Sequence, residues 1–293
     1  MQLPEALVLG VGGTLGEAWI RGVLAGMEAE NGLRFRDCEA FVGTSAGSIV
    51  AARLAAGVQP DAGPDAARAW ARDAGEAARG NGSPGARFLR AAGRLGAVAA
   101  APFAPVAAAA LTPPGALVRA AGLAAVPAGT HRLRRLAAEL DALGARFDGR
   151  LRIPVVDRRT GRRVVLGTPG APEASVTDAV LASCAIPGYF APIRIAGREY
   201  VDGGVWSPTN LDVVPRVRTA LCLAPSAHGR LGALTAAARA AEGLVLRRRG
   251  VALDTVVPDD ASARAMGANL MDARRSPQVL AAAFAQGRRL GEP

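Results

Sequence analysis

The chain contains no lysine: all 35 of its side-chain cations are arginine, set against 25 acids, which leaves +10 at pH 7. Such a surplus suits nucleic acid, an anionic membrane or an anionic substrate. Lysine-free usage beside heavy alanine and glycine equally suits the codon bias of a GC-rich genome, and composition leaves these readings level. Aromatics are 4% of the residues. No basic stretch is interleaved with aromatics and no nucleic-acid module is recognisable, so nucleic acid is not an expected partner. Histidine occurs twice, so any histidine base must be His131 or His228. Cys38, Cys184 and Cys222 are an odd, sparse set with no CxxC pair. That excludes a disulfide framework and fits a reducing compartment. No His/Cys/acid cluster has ligand spacing, and no metal or cofactor is expected. No 18-residue apolar run is free of arginine and proline. The nearest, Leu95 to Val118, is broken by Pro102, Pro105, Pro113 and Pro114, which excludes a spanning helix there. Met1 to Gly10 has no basic stretch ahead of its apolar run, so no signal peptide is expected and the expected location is cytoplasmic.

What is present is 293 residues that are 50% apolar, enough for a sizeable core. With so few aromatics, that core must use small and branched aliphatic side chains, which favours close helix–sheet packing. Ala6 to Leu9 is a short apolar run ending at Gly10 and reads as a buried strand. Gly16 to Glu30 has helical spacing and is stopped by Asn31-Gly32. Ala40 to Val42 is a second strand, and Ser48 to Ala56 a second helix ending at Gly57. This alternation implies a parallel sheet with helices packed on it. From Pro60 to Thr130 the chain is rich in Ala, Gly, Pro and Arg without a convincing strand, which reads as a helical cap. A helix is expected from His131 to Leu143, and a hairpin from Leu151 to Leu166 about Arg158-Arg159-Thr160-Gly161. Ser175 should cap a helix to about Ala185. Further strands are expected at Ile193–Ile195, Glu199–Val201, Ala220–Leu223 and Thr255–Val257, with a helix near Leu231–Leu246 and a helical tail from Ser262. With no repeat and no strong linker, residues 1–293 read as one domain with a helical insertion at about 60–130.

Gly43-x-Ser45-x-Gly47 lies between the second strand and its helix. A nucleophile on such a turn is held in strained backbone with its hydroxyl exposed, and small flanking residues let the chain pass beneath it. The helix that follows directs its N-terminus at a developing oxyanion. Gly10-Val11-Gly12-Gly13-Thr14-Leu15-Gly16 opens the first helix. It reads as an oxyanion hole of converging N–H groups, as a dinucleotide loop with Glu28 or Glu30 as the acid, or as a plain tight turn. A serine turn one βα unit later favours the oxyanion reading. A serine needs a base. His228, in a loop after a strand, would complete a Ser–acid–His order, whereas Asp202 in Val201-Asp202-Gly203-Gly204 offers a carboxylate at a strand end.

The combination of glycine loop, Gly43-Thr44-Ser45-Ala46-Gly47, Ala182-Ser183-Cys184-Ala185-Ile186-Pro187 and Asp202-Gly203-Gly204 resembles the patatin-like phospholipase family. The match covers residues 6–57 and about 151–215, including Val156 to Gly161 and Ser207-Pro208-Thr209-Asn210. The resemblance implies a patatin-like three-layer α/β/α sandwich with a mainly parallel central sheet and a helical cap insertion. It implies a serine acyl hydrolase that cleaves lipid carboxylic esters through a Ser–Asp dyad and an acyl-enzyme. Ser45 would be the nucleophile, Asp202 the base, and Gly12 and Gly13 the oxyanion donors, joined by Ala46. Two positions depart from the family pattern. Leu15 stands where the glycine loop usually carries Lys or Arg, with Arg21 one turn further on, and Val11 replaces the first glycine of the triplet. Leu15 keeps open a catalytically weak lipid-binding or regulatory protein on the same fold. The partner implied is a lipid substrate. Apolar residues and arginines alternate through 85–126 (Phe88, Leu117, Val118; Arg87, Arg119), which suits either a cap packed on the domain or contact with an anionic membrane.

Overall fold

The computed structural model describes residues 2–60, 114–227 and 229–292. Strand β1 (Ala6–Leu9) leads to helix α1 (Gly13–Asn31), strand β2 (Ala40–Gly43) and helix α2 (Ala46–Ala55). This is the alternation expected of the first 57 residues. Both helices begin earlier than their apolar spacing suggests, because glycines and alanines that read as loop supply the first turn. Helix α1 stops where Asn31-Gly32 predicts: Gly32 has φ 68° and its N–H donates to the Glu28 carbonyl at 2.9 Å.

Then follow α3 (Pro114–Ala125), α4 (Arg134–Leu143), β3 (Leu151–Asp157), β4 (Arg163–Leu166), α5 (Val176–Ser183), β5 (Ile193–Ile195) and β6 (Arg198–Asp202). The chain continues through β7 (Thr219–Leu223), α6 (Gly229–Arg248), β8 (Ala252–Val256), α7 (Asp260–Met266) and α8 (Ser276–Gly291). Strands β3 and β4 form the expected hairpin, with Val156 opposite Arg163. Ser175 caps α5, its hydroxyl accepting the Asp178 N–H at 2.9 Å. Of the cap expected at 60–130, residues 61–113 lie outside the described residues, and residues 114–125 are α3. Two expectations need correction. No helix starts at His131, because its carbonyl accepts the Ala191 N–H at 2.8 Å in a bridge to the segment around Phe190. The C-terminal tail is two helices, because Gly267 at φ 65° ends α7 before α8 begins.

The sheet order is β5-β6-β3-β2-β1-β7-β8, with β4 also paired to β3. Strands β3, β2, β1, β7 and β8 run parallel. Strands β4, β5 and β6 make antiparallel pairs at one end. The hydrogen-bond parity of β3 positions the site. The Arg150 carbonyl accepts from Phe41 of β2, and the Arg158 N–H donates to the Glu199 carbonyl of β6. Residues of equal parity face one edge of a strand, so β2 and β6 share an edge of β3. They run in opposite directions and end facing each other. Asp157, of the other parity, donates to Arg162 beside β4. Pro154 sits where β2 and β6 leave a gap. It has no N–H to satisfy there, which is why a proline is tolerated in a central strand.

The central strands β1, β2, β3 and β7 are buried on both faces, as a parallel sheet requires, while β8 at the edge is largely exposed. Leu7, Leu9, Phe41, Ile153 and Val155 face one core with α1, α2, α4, α5 and α8. Ala6, Val8, Val42 and Cys222 face a second core under Leu246 of α6. Val156, Val201 and Val205 meet Leu123 of α3. This is a three-layer α/β/α sandwich. Small residues set the helix packing, as the scarcity of aromatics predicts. At Gly26 a Cβ would strike the Phe284 carbonyl of α8, so α1 and α8 cross in backbone contact. Gly26→Val should therefore cost about 3 kcal/mol or more in urea unfolding. A loss below about 1 kcal/mol would show that the crossing can open at little cost.

Candidate active site

Ser45 follows β2 directly. It has φ 53° and ψ −122°, a left-handed conformation in a residue with a Cβ. Such a conformation stores roughly 1–3 kcal/mol and persists only where neighbours impose it. Here they do. The Ser45 N–H donates to Ser183 Oγ at 3.0 Å, and that hydroxyl donates to the Pro154 carbonyl at 2.9 Å. The Ser45 carbonyl accepts from Ser48 Oγ at 2.6 Å. At Gly47 a Cβ would strike the Leu9 carbonyl of β1. The second glycine of Gly43-x-Ser45-x-Gly47 is thus demanded by how closely this turn crosses the neighbouring strand.

Asp202 ends β6 and faces that turn. Its side chain accepts the Gly204 N–H at 2.7 Å, and the Ser45 hydroxyl stands close enough to lower its pKa. Its own N–H donates to the Ala185 carbonyl at 3.1 Å. The carboxyl is 5% exposed. Burial pushes it up to about 7, and the Gly204 N–H and the nearby Ser45 hydroxyl pull only part of the way back. An ordinary aspartate is too weak a base for a serine hydroxyl, and this one is tuned toward neutral pH by loss of water.

The glycine loop is brought alongside by the register of β1 and β2, in which Leu9 lies opposite Gly43. Val11 N–H donates to the Pro208 carbonyl, and Leu15 N–H to the Leu270 carbonyl, each at 2.9 Å. Among the described residues, the N–H groups of Gly12, Gly13 and Thr14 at the start of α1, and of Ala46 at the start of α2, find no such partner. Gly13 has φ 59°. Free N–H groups at two adjacent helix starts can take an anionic oxygen. The acids that a dinucleotide loop would need are committed elsewhere. Glu28 accepts the Phe35 N–H at 2.7 Å, and Glu30 pairs with Arg288 at 2.8 Å.

A third strap joins these parts. Ser207 Oγ accepts the N–H groups of Thr209 and Asn210, at 3.2 and 3.0 Å. Asn210 Nδ2 donates to Thr44 Oγ1 at 3.1 Å and to the Ser207 carbonyl at 2.8 Å. Glu242 of α6 accepts from Thr209 Oγ1 and from the Leu211 N–H. The Ser207-Pro208-Thr209-Asn210 run therefore ties the glycine loop, the serine turn and the segment after Asp202. Ser183, Asn210 and Glu242 were not assigned positions in the site from sequence. Ser183 and Asn210 lie in runs that carry the family resemblance, whereas nothing near Glu242 in the sequence marks it.

Leu15 lies in the main core and is fully buried. Arg21, six residues further along α1, is also buried, and its charge acts on Glu17. Burial pushes the Glu17 carboxyl up to about 7 against the pull of Arg21. Between the two buried acids lies Cys184, 3.8 Å from Ser48 Oγ, its thiol pushed up by burial and by the charge of Asp202. His131 is half-buried in its bridge, and His228 lies outside the described residues. A cavity of about 480 Å³ opens beside Phe147, Gly149 and Gly167. Those residues border the N-terminal end of β3, so this cavity is not part of the serine–aspartate site. Among the described residues no group of three or more His, Cys, Asp or Glu could hold a metal ion, and no helix is long and apolar enough to cross a membrane.

The family model for patatin-like phospholipases matches residues 7–215. The chain belongs to the patatin-like phospholipase family. Its sheet has that fold, and membership places it among lipid acyl hydrolases in general. Patatin-like phospholipases act on lipid substrates. No curated protein matches the chain. Among solved structures it is similar to VipD from Legionella pneumophila, at 14% identity and a TM-score of 0.38, over 96% of this chain and 67% of that one. The family match ends before β7, so strands β7 and β8, with α6 to α8, complete the fold beyond the matched region.

Two stability outcomes follow from the geometry. Glycine relieves a left-handed backbone that alanine does not, so Ser45→Gly should unfold about 1 kcal/mol later than Ser45→Ala. Equal stability would mean that the turn is unstrained. Asp202 has a folded-state pKa near 7 against 3.8 unfolded. Its contribution to stability is full below pH 3.8 and is lost as pH rises toward 7. Asp202→Asn should thus melt about 3 °C or more above wild type at pH 8, with the gap closing toward pH 4. A gap that instead widens on acidification would mean that the folded carboxyl has a depressed pKa.

Proposed function

We propose that this protein hydrolyses carboxylic esters of lipids with Ser45 as nucleophile and Asp202 as base. The observation that carries this reading is the strained Ser45 turn facing the buried Asp202 carboxyl, which burial brings up to about 7 and which the nearby Ser45 hydroxyl lowers in part. Asp202 takes the hydroxyl proton as Ser45 Oγ attacks the ester carbonyl. The oxyanion is received by the N–H groups of Gly12 and Gly13, joined by Ala46. The Ser45 N–H does not take part, being committed to Ser183. The alcohol leaves with the proton from Asp202. Water, deprotonated by the same carboxylate, then clears the acyl-enzyme. On α3, Leu117 and Val118 are exposed and Arg119 is buried. That helix offers a membrane an apolar face rather than a charged one, which corrects the expectation of Arg119 as a surface cation.

Activity should require an ionised Asp202. kcat/KM should rise between pH 5 and 8 with a midpoint near 7, and Glu17→Gln should leave that midpoint in place. Ser45→Ala and Asp202→Asn should each lose about 10³-fold or more on a short-chain ester and on lipid. Ser45→Ala should also lose labelling by a fluorophosphonate probe. Undiminished hydrolysis in Asp202→Asn together with loss in His228→Ala would replace the dyad with a triad. An unlabelled wild type that still binds lipid would favour the regulatory reading, in which Leu15 marks a glycine loop no longer used for chemistry.

A further inference from the structure

Strand β8 ends the sheet, and among the described residues its outer edge meets no other strand. The Ala252 N–H donates to the Arg218 carbonyl, and the Val256 carbonyl accepts the Ala224 N–H. Even-numbered residues of β8 therefore bond the β7 side, and odd-numbered ones direct both backbone groups away from the sheet. At the two ends these groups are partly met. The Val251 N–H donates to the Leu246 carbonyl, and the Val257 carbonyl accepts Gln286 Nε2 at 2.7 Å. Between them, among the described residues, the N–H and C=O groups of Leu253 and Thr255 have no hydrogen-bond partner. An open strand edge is a template for another strand, and proteins usually blunt it with proline, a bulge or several charges. Strand β8 has neither proline nor bulge, and Asp254 is its one charge.

The surroundings of this edge select what fits it. On the α6 side Leu253 lies against Gly243, where a Cβ would stand 3.3 Å from Leu253 Cδ2. Leu244 and Val245 follow on the helix and are 48% and 36% exposed, and Val257 is 38% exposed. Helix α6 then ends in Arg247 and Arg248, while Arg216 precedes β7. All three arginines are exposed, and among the described residues none has an acid partner. This basic end stands at the N-terminal end of β8, since only Arg249 to Val251 separate the two elements. Ser45 lies past the opposite, C-terminal ends of the parallel strands. A bilayer held by these arginines would leave the serine facing away from it. Nor does a lipid or a nucleic acid use a row of backbone N–H and C=O groups, as a polypeptide does. A second copy of the chain would bring the same surplus of +10 to the contact.

We propose that the β8 edge receives an extended segment of another protein, added as a strand beside Leu253 to Thr255. The segment has apolar side chains at alternate positions, to lie on Leu244, Leu253 and Val257. It carries aspartate or glutamate at the end that reaches Arg247, Arg248 and Arg216. Backbone hydrogen bonds hold it, and the acids fix its register. This surface is separate from the chemistry at Ser45 and does not depend on it.

The test uses the full chain and a labelled, end-capped peptide with two glutamates at each end of Val-Thr-Val-Thr-Val, so that either strand direction offers acids to the arginines. Two control peptides replace the glutamates by lysines or methylate the backbone nitrogens. In fluorescence anisotropy the glutamate peptide should bind about tenfold or more tighter than either control, and less tightly as salt rises. Thr255→Pro deletes an outward N–H and no bond to β7, and should weaken binding about tenfold. The exposed pair of changes Arg247→Glu and Arg248→Glu should weaken it similarly. Hydrogen exchange at Leu253 and Thr255 should be fast in the free protein and slowed by the peptide. A glutamate peptide that binds no better than the lysine one, or amides already protected without peptide, overturns the proposal. So does binding unchanged by Arg247→Glu and Arg248→Glu, even if Thr255→Pro does not fold. Sedimentation as a dimer that Thr255→Pro dissociates would give the edge to a second copy instead. Phosphatidylglycerol vesicles bound in place of the peptide, and lost with the arginines, would give it to a membrane.

Discussion

Everything at the site depends on two strands that end facing each other along one edge of β3. A parallel strand carries Ser45 out of the sheet, and an antiparallel one carries Asp202 in from the opposite direction. Between their ends the ladder is interrupted, and an interrupted ladder leaves backbone polar groups unmet. Pro154 removes one of them by having no N–H. Ser183 answers the other, because its hydroxyl donates to the Pro154 carbonyl while accepting from Ser45. One side chain thus closes the gap in the sheet and holds the strained turn. The strain and the gap are parts of one arrangement, and neither would persist without the other's hydrogen bonds.

The electrostatics follow from that placement. A carboxyl at a sheet interior is deprived of water, and at Asp202 the Gly204 N–H and the nearby Ser45 hydroxyl do not make good the loss. A second buried carboxylate in this protein behaves in the opposite way: Asp157, 3% exposed, is held below its ordinary value by the turn N–H groups of Thr160 and Arg159 and by Arg198. The sequence contrast is small, since Asp157-Arg158 and Asp202-Gly203 are both acids at strand ends. What separates them is the neighbour. An arginine and an open turn keep Asp157 ionised, whereas glycines let the backbone close over Asp202. Stability is given up to hold a carboxyl that titrates near neutral pH, a trade often met at functional sites.

Where the chain is punctuated by glycine, its fold could be read directly. The Gly10 loop, the Asn31-Gly32 stop and the Gly43-x-Ser45-x-Gly47 turn are local events, and the structure places them within three residues of the positions read. The β3–β4 hairpin was legible for the same reason. The helix expected from His131 to Leu143 starts three residues later, at Arg134, because a carbonyl captured by Ala191 is a long-range event that spacing cannot register. Arg119 shows the same limit for side chains. In a chain where every cation is arginine, a buried guanidinium and a solvated one are spelled alike. Ser183 and Asn210 stood inside recognisable runs, but their task, bridging elements that are far apart in sequence, exists only after the sheet has formed.

The surplus of ten positive charges therefore has no single meaning. Much of it is dispersed in surface pairs such as Arg218 with Glu5 and Arg274 with Asp272, which contribute little to stability. Arg163 is consumed in holding Asp212 and Asn210 behind the serine turn. Arg119 differs in that it has been taken out of water and given an aromatic face but, among the described residues, no acid. Moving a guanidinium into a protein costs more than moving a leucine, so a helix that needed only to pack on Val201 and Val205 would have no use for one.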